Sequence, residues 1–475
     1  MEKKSESQLL KEKLMHKFES TWDCVSKEES NEITNFAEKY KQFLDTSKTE
    51  REAIYTSINL AKENGFQNIE DLIKTGCKLE PGMKIYANNK NKSLALFVIG
   101  NQPLGDGLNI IGAHVDAPRI DLKQFPLYED TNIALLKTHY YGGIKKYQWT
   151  SLPLALHGFV VKSDGSKVDI VIGEKETDPV FMIADLLIHL SKDQMAKKLS
   201  EGITGENLNV IIGSKPIEDK EIEGRVKLNI LNLLNETYGM TEEDFTSAEF
   251  EVVPAGKARD LGLDRSMIAA YGHDDRVCSY AAVEAVFDCG VPNRTVCTLL
   301  VDKEEVGSQG NTGMESRFFE LMVSELAAFE SDNYSELYVK RALANSKVLS
   351  GDVAAGLNPT FPEVLEKNNA AKIGNGLCLI KYTGARGKSG CNDANSEFMA
   401  EIRKIFNDNK VNWQLGELGK VDQGGGGTIA YILARYGMEV IDCGTPVLGM
   451  HSPYEIISKA DLYMTYRGYK AFYKA

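Results

Sequence analysis

The sequence shows neither a long apolar run nor an apolar N-terminal stretch. No run reaches the ~18 uninterrupted apolar residues that a membrane-spanning helix needs. The N-terminal stretch MEKKSESQLLKEKLMHKFES is charged from its second residue and has no apolar centre, which argues against a secretory signal. We therefore expect a cytoplasmic protein without a membrane partner.

Cysteine pairs and positive charge are also sparse. The eight cysteines contain no C-x-x-C spacing and several lie inside apolar runs, so we expect reduced core residues rather than disulfides or a cysteine-type zinc site. There are 55 lysines and arginines against 68 aspartates and glutamates, which gives a formal net charge of −13. This balance argues against nucleic acid as a partner, because phosphate binding needs clustered basic side chains.

What the sequence does contain is a pair of adjacent carboxylates, Glu304 and Glu305, just after the apolar run VCTLLV at 296–301. Such a run predicts a buried strand of an α/β sheet, and ligands of these sheets bind where the strands end. Two glutamates are costly at that position unless a cation holds them. A solvated acidic turn would be the ordinary interpretation of the pair seen alone.

Four other apolar runs are followed by side chains that can bind a metal. They lead, in chain order, to His114, to His273 and Asp274, to Asp352, and to His451. Imidazole and carboxylate ligands suit zinc, manganese or cobalt. Because no cysteine is among them, the pattern favours an open catalytic metal site over a structural one.

The spacing of His114 and Asp116 sharpens this prediction, since alternate residues of an extended segment point to the same side. Asp116 can then accept a proton from the second ring nitrogen of His114 and fix the tautomer that binds metal. Isolated histidines such as His139 and His157 are expected to be packing or surface residues. The joint order H-x-D, D-D, E-E, D and H is what points to one shared site.

The run DQGGGGT at 422–428 allows two interpretations. It could cradle a phosphate, but no G-K-[ST] follows it. We expect instead a tight loop that approaches a substrate closely and leads into a helix at 429–435.

Five motifs surround these residues: GAHVDAPRIDLK at 112–123, GHDDRV at 272–277, DKEEVGSQG at 302–310, SGD at 350–352 and GMHSPYE at 449–455. Together they resemble the aspartyl aminopeptidase family of dinuclear zinc metallo-aminopeptidases, and the chain looks like a bacterial branch of it. The resemblance implies an enzyme that removes one residue from the N-terminus of a peptide. It also implies two divalent metal ions per subunit, Zn²⁺ in the first place, with Mn²⁺ or Co²⁺ as alternatives.

The resemblance further implies a metal ligand at each of five positions. His114 and Asp352 would hold one ion, Glu305 and His451 the other, and Asp274 would bridge both. Two cations about 3.5–4 Å apart lower the pKa of a shared water and polarise the scissile carbonyl.

Two more residues match catalytic positions of the family. Glu304 would be free of metal and act as the general base, because an unligated carboxylate can take the proton of water and deliver it to the leaving amine. Asp116 matches the carboxylate that orients His114.

The sequence departs from animal and fungal members of the family where a substrate would bind. The run DVAAGLNP at 352–359 lacks their histidines, and Asp185 stands where they have a substrate-side histidine. Arg386 and Lys388, in a segment rich in glycine, are either cations for an acidic N-terminal residue or ordinary loop charges. We predict a preference for Asp- and Glu-initiated peptides, with neutral specificity as the alternative.

The length of 475 residues exceeds what one core usually accommodates, so we expect two domains. The gap between His114 and Asp274 contains strand-like runs at 154–161, 167–172, 208–212 and 250–253, and one helical stretch at 179–191. We predict an α/β fold, with a mixed sheet flanked by helices in a zinc-exopeptidase-like catalytic domain and an inserted β-rich dimerisation domain.

The predicted bounds are 1–123 for the first part of the catalytic domain, 124–256 for the insertion and 257–475 for the second part. The resemblance implies that the insertion builds contacts between identical subunits. It also implies a large homo-oligomer, a dodecamer built from dimers.

Two other function classes compete with this interpretation. A related dinuclear carboxypeptidase or deacylase would use similar ligands but would need a cationic clamp for a free carboxylate. A non-enzymatic scaffold would tolerate the loss of Glu304 or of a ligand, whereas here every expected catalytic position is filled.

Overall fold

The computed structural model describes residues 4–330 and 334–475. Its largest sheet is mixed, with four parallel strands at the centre. The nine strands are, in spatial order, Gln67–Asn68, Lys84–Asn89, Ser93–Val98, Val296–Val301, Asn109–His114, Lys347–Ser350, Glu439–Gly444, Leu377–Ile380 and Trp413–Leu415. The central strands are apolar on both faces, as expected where helices cover both sides of a parallel sheet.

Helices flank this sheet. The helices of eight residues or more among the described residues are Glu6–Leu14, Lys27–Asp45, Glu50–Glu63, Arg225–Tyr238, His273–Phe287, Phe318–Glu330, Glu336–Ala344, Ser396–Asp408 and Lys459–Tyr473. Of these, Glu6–Leu14 has no buried residue and Arg225–Tyr238 packs against a different sheet. Several begin at a capping box, such as the one in which Thr49 and Glu52 satisfy each other's backbone N–H groups. The helices His273–Phe287 and Lys459–Tyr473 are buried over most of their length and pack against each other under the sheet.

A second sheet is antiparallel and has its own apolar core. Its six strands are, in spatial order, Lys167–Ile172, Leu154–Val161, Ala248–Pro254, Arg119–Asp130, Ile133–Tyr141 and Val210–Gly213. The strand-like runs predicted between His114 and Asp274 therefore form strands. The mixed α/β fold with an additional β-rich part is confirmed, and the exact domain bounds stay a prediction.

The strand that precedes Asp274 does not belong to the large sheet. Met267–Ala270 lies in a five-stranded sheet between Arg259–Leu261 and Glu455–Ser458, and the last two strands of this sheet are Pro446–Leu448 and Ala354–Ala355. Asp274 is therefore positioned by this smaller sheet and not by a strand of the large one.

The helix predicted at 179–191 is wrong. Phe181 and Met182 form single β-bridges with Leu154 and Ile211, and only Ile188–Leu190 makes a short 3-10 turn. Pairing with the second sheet overrides the apolar helical pattern at the start of this segment.

Among the described residues, no helix combines the length and apolar character that crossing a lipid bilayer requires.

The buried carboxylate of Asp461 ties the helix Lys459–Tyr473 to the loop before the strand Leu377–Ile380. Its two oxygens accept hydrogen bonds from the backbone N–H groups of Gly374 and Gly376, each at 2.7 Å. Both glycines have positive φ, near +86°, which favours glycine there. The loop conformation therefore depends on one acceptor group with two oxygens.

We expect Asp461→Asn to destabilise the fold by about 1–3 kcal/mol, because the new amide offers one acceptor and points a donor at the second glycine N–H. Thermal unfolding of the variant measures the loss. Asp408→Asn, at the exposed end of another helix, is the matched control and should change stability by less than about 0.5 kcal/mol. Equal Tm values for the Asp461 variant and wild type would contradict the assigned role.

Candidate metal centre

Three of the parallel strands end next to one another and bring their polar residues to one edge of the sheet. His114 is the last residue of Asn109–His114, Glu304 and Glu305 lie in a turn shortly after Val296–Val301, and Asp352 follows Lys347–Ser350. These strands are direct neighbours with aligned registers. The site therefore forms where the carboxyl ends of parallel strands meet.

Asp274 and His451 lie in segments next to strands of the five-stranded sheet. Asp274 stands at the start of the helix His273–Phe287, where its backbone is not helical and its peptide bond to Asp275 is cis. Buried Glu455 holds both segments, since its carboxylate accepts the N–H of Asp274 at 2.9 Å and that of His451 at 2.7 Å. Sequence reasoning missed Glu455, although its position four residues after His451 in the last motif was a signal.

The five predicted metal ligands lie close together in two overlapping groups, one of His114, Asp274 and Asp352 and one of Asp274, Glu305 and His451. Asp274 belongs to both: its Oδ1 lies 3.2 Å from Nε2 of His114 and its Oδ2 lies 3.2 Å from Nε2 of His451. His114 Nε2 is also 3.9 Å from Asp352, and His451 Nε2 is 3.4 Å from Glu305.

These spacings fit zinc. Bonds of about 2.0–2.2 Å in a tetrahedral arrangement separate neighbouring ligand atoms by about 3.3–3.6 Å. Within the described part of the chain, His114 Nε2, Asp274 Oδ1 and Glu305 Oε1 are buried without a well-aligned hydrogen bond. Buried polar atoms in that state are expensive, so a cation accounts for them better than packing does.

The charges at the centre support the same interpretation. Burial alone would lower the pKa of His114, but the carboxylates of Asp116 and Asp274 outweigh it and raise that pKa. Burial also raises the pKa values of Glu305 and Asp352, and the charges of neighbouring carboxylates raise them further. The cluster thus holds more carboxylates than it can ionise without a compensating cation.

Asp116 does more than the sequence predicts. The Nδ1–H of His114 donates to the backbone carbonyl of Asp116 at 3.0 Å, while the carboxylate oxygen Oδ1 is 3.3 Å away. The fully buried carboxylate accepts the backbone N–H of Glu304 at 3.1 Å and that of Glu305 at 3.2 Å. It therefore holds the Glu304–Glu305 turn and also lies beside the histidine.

Glu304 lies at the edge of the centre, with Oε2 4.0 Å from Nε2 of His114. Burial raises its pKa to about 7, and the positive charge of His114 opposes that shift. Its carboxylate faces a cavity of about 450 Å³ that also reaches Asp352 and His451. It can thus contact a bound molecule, although it also groups with His114 and Glu305 as a possible ligand.

The cavity is lined mainly by apolar side chains and by backbone away from the metal centre. Val353, Ile380, Leu418, Tyr431 and Met450 contribute side chains, and the glycine-rich run contributes backbone at 425–427. A Cβ at Gly425, whose φ is +133°, would lie 2.4 Å from the carbonyl oxygen of Gly384, so glycine is required. The tight loop and the following helix, Ala430–Ala434, agree with the sequence prediction.

The structure does not bring the three predicted substrate residues into this cavity. Arg386 and Lys388 are exposed and line a small adjoining pocket, and Lys388 pairs with Asp393 at 2.8 Å. Asp185 is exposed and accepts a hydrogen bond from Gln194 at 3.0 Å. Their roles in substrate binding stay predictions.

Known proteins resemble this chain over nearly its whole length. Residues 43–473 match the family described as aminopeptidase I zinc metalloproteases (M18). A probable M18 family aminopeptidase 1 from Clostridium acetobutylicum is 54% identical over 459 residues, which cover 97% of this chain and 98% of that relative.

Solved structures agree. The crystal structure of an M18 family aminopeptidase from Thermotoga maritima has a TM-score of 0.92 and 46% identity, and the match covers 97% of this chain and 100% of that one. A structure of the Saccharomyces cerevisiae mApe1 dodecamer has a TM-score of 0.74 at 20% identity, covering 92% and 96%, and shows the fold alone. The resemblance seen in the motifs is confirmed: the chain belongs to the M18 family of zinc aminopeptidases, which are metal-dependent hydrolases.

Proposed function

We propose that this aminopeptidase uses two zinc ions per subunit. His114 and Asp352 would hold one ion, Glu305 and His451 the other, and Asp274 both. The observation that carries the proposal is the position of Asp274, whose two oxygens face the two histidines at 3.2 Å each. When bound, two zinc ions would polarise the scissile carbonyl and lower the pKa of the attacking water.

The side chains around the ions would do the rest of the chemistry. We propose Glu304 as the general base, because it reaches the cavity and the five ligands account for two ions without it. Its carboxylate would take a proton from the attacking water and return it to the leaving amine. Asp116 would keep Glu304 in place through the Glu304 backbone N–H.

We expect Glu304→Gln to lower kcat by about 10²-fold or more, because the amide keeps the size of the side chain but cannot accept the proton. Zinc content should stay near that of wild type. The assay is hydrolysis of an aminoacyl reporter, with metal content measured on the same sample. Glu336→Gln, an exposed helix position, is the matched control and should leave both unchanged.

Two outcomes would contradict this assignment of Glu304. A variant that keeps most of its activity shows that another group is the base. A variant that loses zinc together with activity shows that Glu304 is a ligand, which its grouping with His114 and Glu305 allows.

We also propose that identical chains assemble through the predicted insertion, 124–256. Large apolar side chains are exposed along one segment of it, where they would normally be covered. They are Leu186, Leu187, Ile188, Leu190, Met195 and Leu199, with exposures of up to 72%. The yeast dodecamer of the same fold supports closed assembly of many copies, and a dodecamer built from dimers is our proposal.

Light scattering should therefore detect a particle much larger than a dimer of 52.6 kDa chains. Replacing Ile188 and Leu190 together by Asp should break it into smaller species, because charges would be buried in the contact. Leu337→Asp, at an exposed apolar position on a helix outside the insertion, is the control and should leave the particle intact. A stable wild-type monomer at micromolar concentration would overturn the proposal.

For the substrate side chain, the cavity favours the neutral alternative over the acidic preference that the sequence predicts. Among the described residues that line it there is no lysine or arginine, and Val353, Ile380 and Met450 offer apolar contacts. Lys388 already pairs with Asp393 and lies 3.8 Å from the ring centre of Tyr382. The lack of a basic clamp in this lining also argues against a carboxypeptidase.

We expect kcat/KM for a Leu reporter to exceed that for Asp or Glu reporters by at least about 10-fold, because an unpaired carboxylate in a partly desolvated site costs several kcal/mol. Lys388→Ala should leave this ratio within about two-fold of wild type. Lys381→Ala, which removes the other partner of Asp393, is its control. A wild-type preference for acidic reporters that Lys388→Ala erodes would establish the acidic alternative.

A further inference from the structure

The end of one strand in the second sheet reaches the metal centre. Tyr141 is the last residue of Ile133–Tyr141, and Gly142 and Gly143 follow it. This short segment contacts Asp116, Glu305 and His451, which belong to three different parts of the centre. The ligands themselves all come from outside the second sheet.

Tyr141 contacts the carboxylate that holds the Glu304–Glu305 turn. Its hydroxyl donates to Oδ2 of Asp116 at 2.8 Å, which is shorter than either backbone contact to the same carboxylate. The carboxylate of Asp116 thus accepts three hydrogen bonds, and the one from Tyr141 comes from the second sheet. Loss of that bond would let the carboxylate rotate and carry the turn with it.

The ring of Tyr141 is itself held in place. The guanidinium of Arg119 lies over it, 4.0 Å from the ring centre. Arg119 is buried and contacts three carboxylates, those of Glu50 at 3.3 Å, Asp121 at 2.8 Å and Glu251 at 3.1 Å. The hydroxyl is therefore presented by a ring that packing and charge fix in one position.

Gly142 and Gly143 approach the other half of the centre. The Nδ1–H of His451 donates to the carbonyl oxygen of Gly143 at 2.9 Å, which leaves Nε2 free toward Asp274 and Glu305. A Cβ at Gly143 would lie 3.3 Å from Nδ1 of His451, and one at Gly142 would lie 3.4 Å from the Cβ of Glu305. The backbone can come this close because these residues have no side chain.

We propose that Tyr141 is a positioning residue of the metal centre: through its hydroxyl it orients Asp116 and so places Glu305 and Glu304. The carbonyl of Gly143 orients the ring of His451 by accepting its Nδ1–H. The second sheet is then part of the catalytic machinery of its own subunit. This inference rests on the proposed ligand set and general base.

Tyr141→Phe is the decisive variant, because it keeps the ring over Arg119 and removes only the hydroxyl. We expect the affinity of the metal-free protein for zinc, measured by competition with a chelator, to fall by about 10–100-fold. At saturating zinc, kcat should fall by about 10-fold while KM stays within about two-fold, because only the base and ligands shift. Tyr140→Phe, at the neighbouring exposed residue of the same strand, is the matched control and should change neither quantity.

A second variant tests the other half. Gly143→Ala should also weaken zinc binding, since its methyl group displaces the ring of His451. Gly202→Ala, where the nearest atom would be 3.9 Å away, is its control.

The inference would be overturned if Tyr141→Phe bound zinc as tightly as wild type. A lower Tm of the metal-free variant with unchanged zinc affinity would overturn it as well, since Tyr141 would then only stabilise the fold. A wild-type protein that binds zinc without cleaving peptides would refute the proposed function instead. The affinity comparison would still decide the role of Tyr141.

Discussion

The metal centre depends on two buried carboxylates that bind backbone N–H groups. Asp116 accepts the N–H groups of Glu304 and Glu305, and Glu455 accepts those of Asp274 and His451. Asp116 thereby fixes the turn that carries both glutamates, and Glu455 links the segments that carry Asp274 and His451. Because these contacts are made to backbone N–H groups, they place four of the proposed functional side chains without using any of them.

The sequence allowed the proposed ligands to be found, because His114, Glu305 and Asp352 follow buried strands whose apolar runs are easy to recognise. The large mixed sheet was predictable for the same reason. Glu455 and Tyr141 were not found. Glu455 binds backbone N–H groups and Tyr141 binds the carboxylate of Asp116, and contacts of this kind leave no pattern of alternating apolar residues in the sequence. The segment 179–191 misled the prediction, since its exposed leucines have an apolar pattern without a helix.

The second sheet and the large sheet share one charged cluster. Arg119 is the first residue of the strand Arg119–Asp130 and contacts Glu251 of the same sheet. It also contacts Glu50, which begins a helix that packs on the large sheet. A buried ion pair adds little net stability, because the cost of removing both charges from water offsets their attraction. Separating the two charges leaves each of them buried and unpaired, which costs much more, so the cluster fixes the position of the strand. That constraint explains how Tyr141, on the adjacent strand, can reach Asp116 reproducibly.

The same charges bear on which peptide can enter. Asp274, Glu304, Glu305 and Asp352 all face the cavity, and the described lining offers no lysine or arginine against them. Two bound zinc ions would bring four positive charges against these four carboxylates, so the proposed loaded centre would have little net charge with which to attract or repel a peptide. An acidic first side chain would then be disfavoured because the lining offers no cation to pair with its carboxylate, and an unpaired carboxylate in such a cavity is costly. Under the proposed function, the apolar walls formed by Val353, Ile380 and Met450 would therefore favour a neutral first side chain.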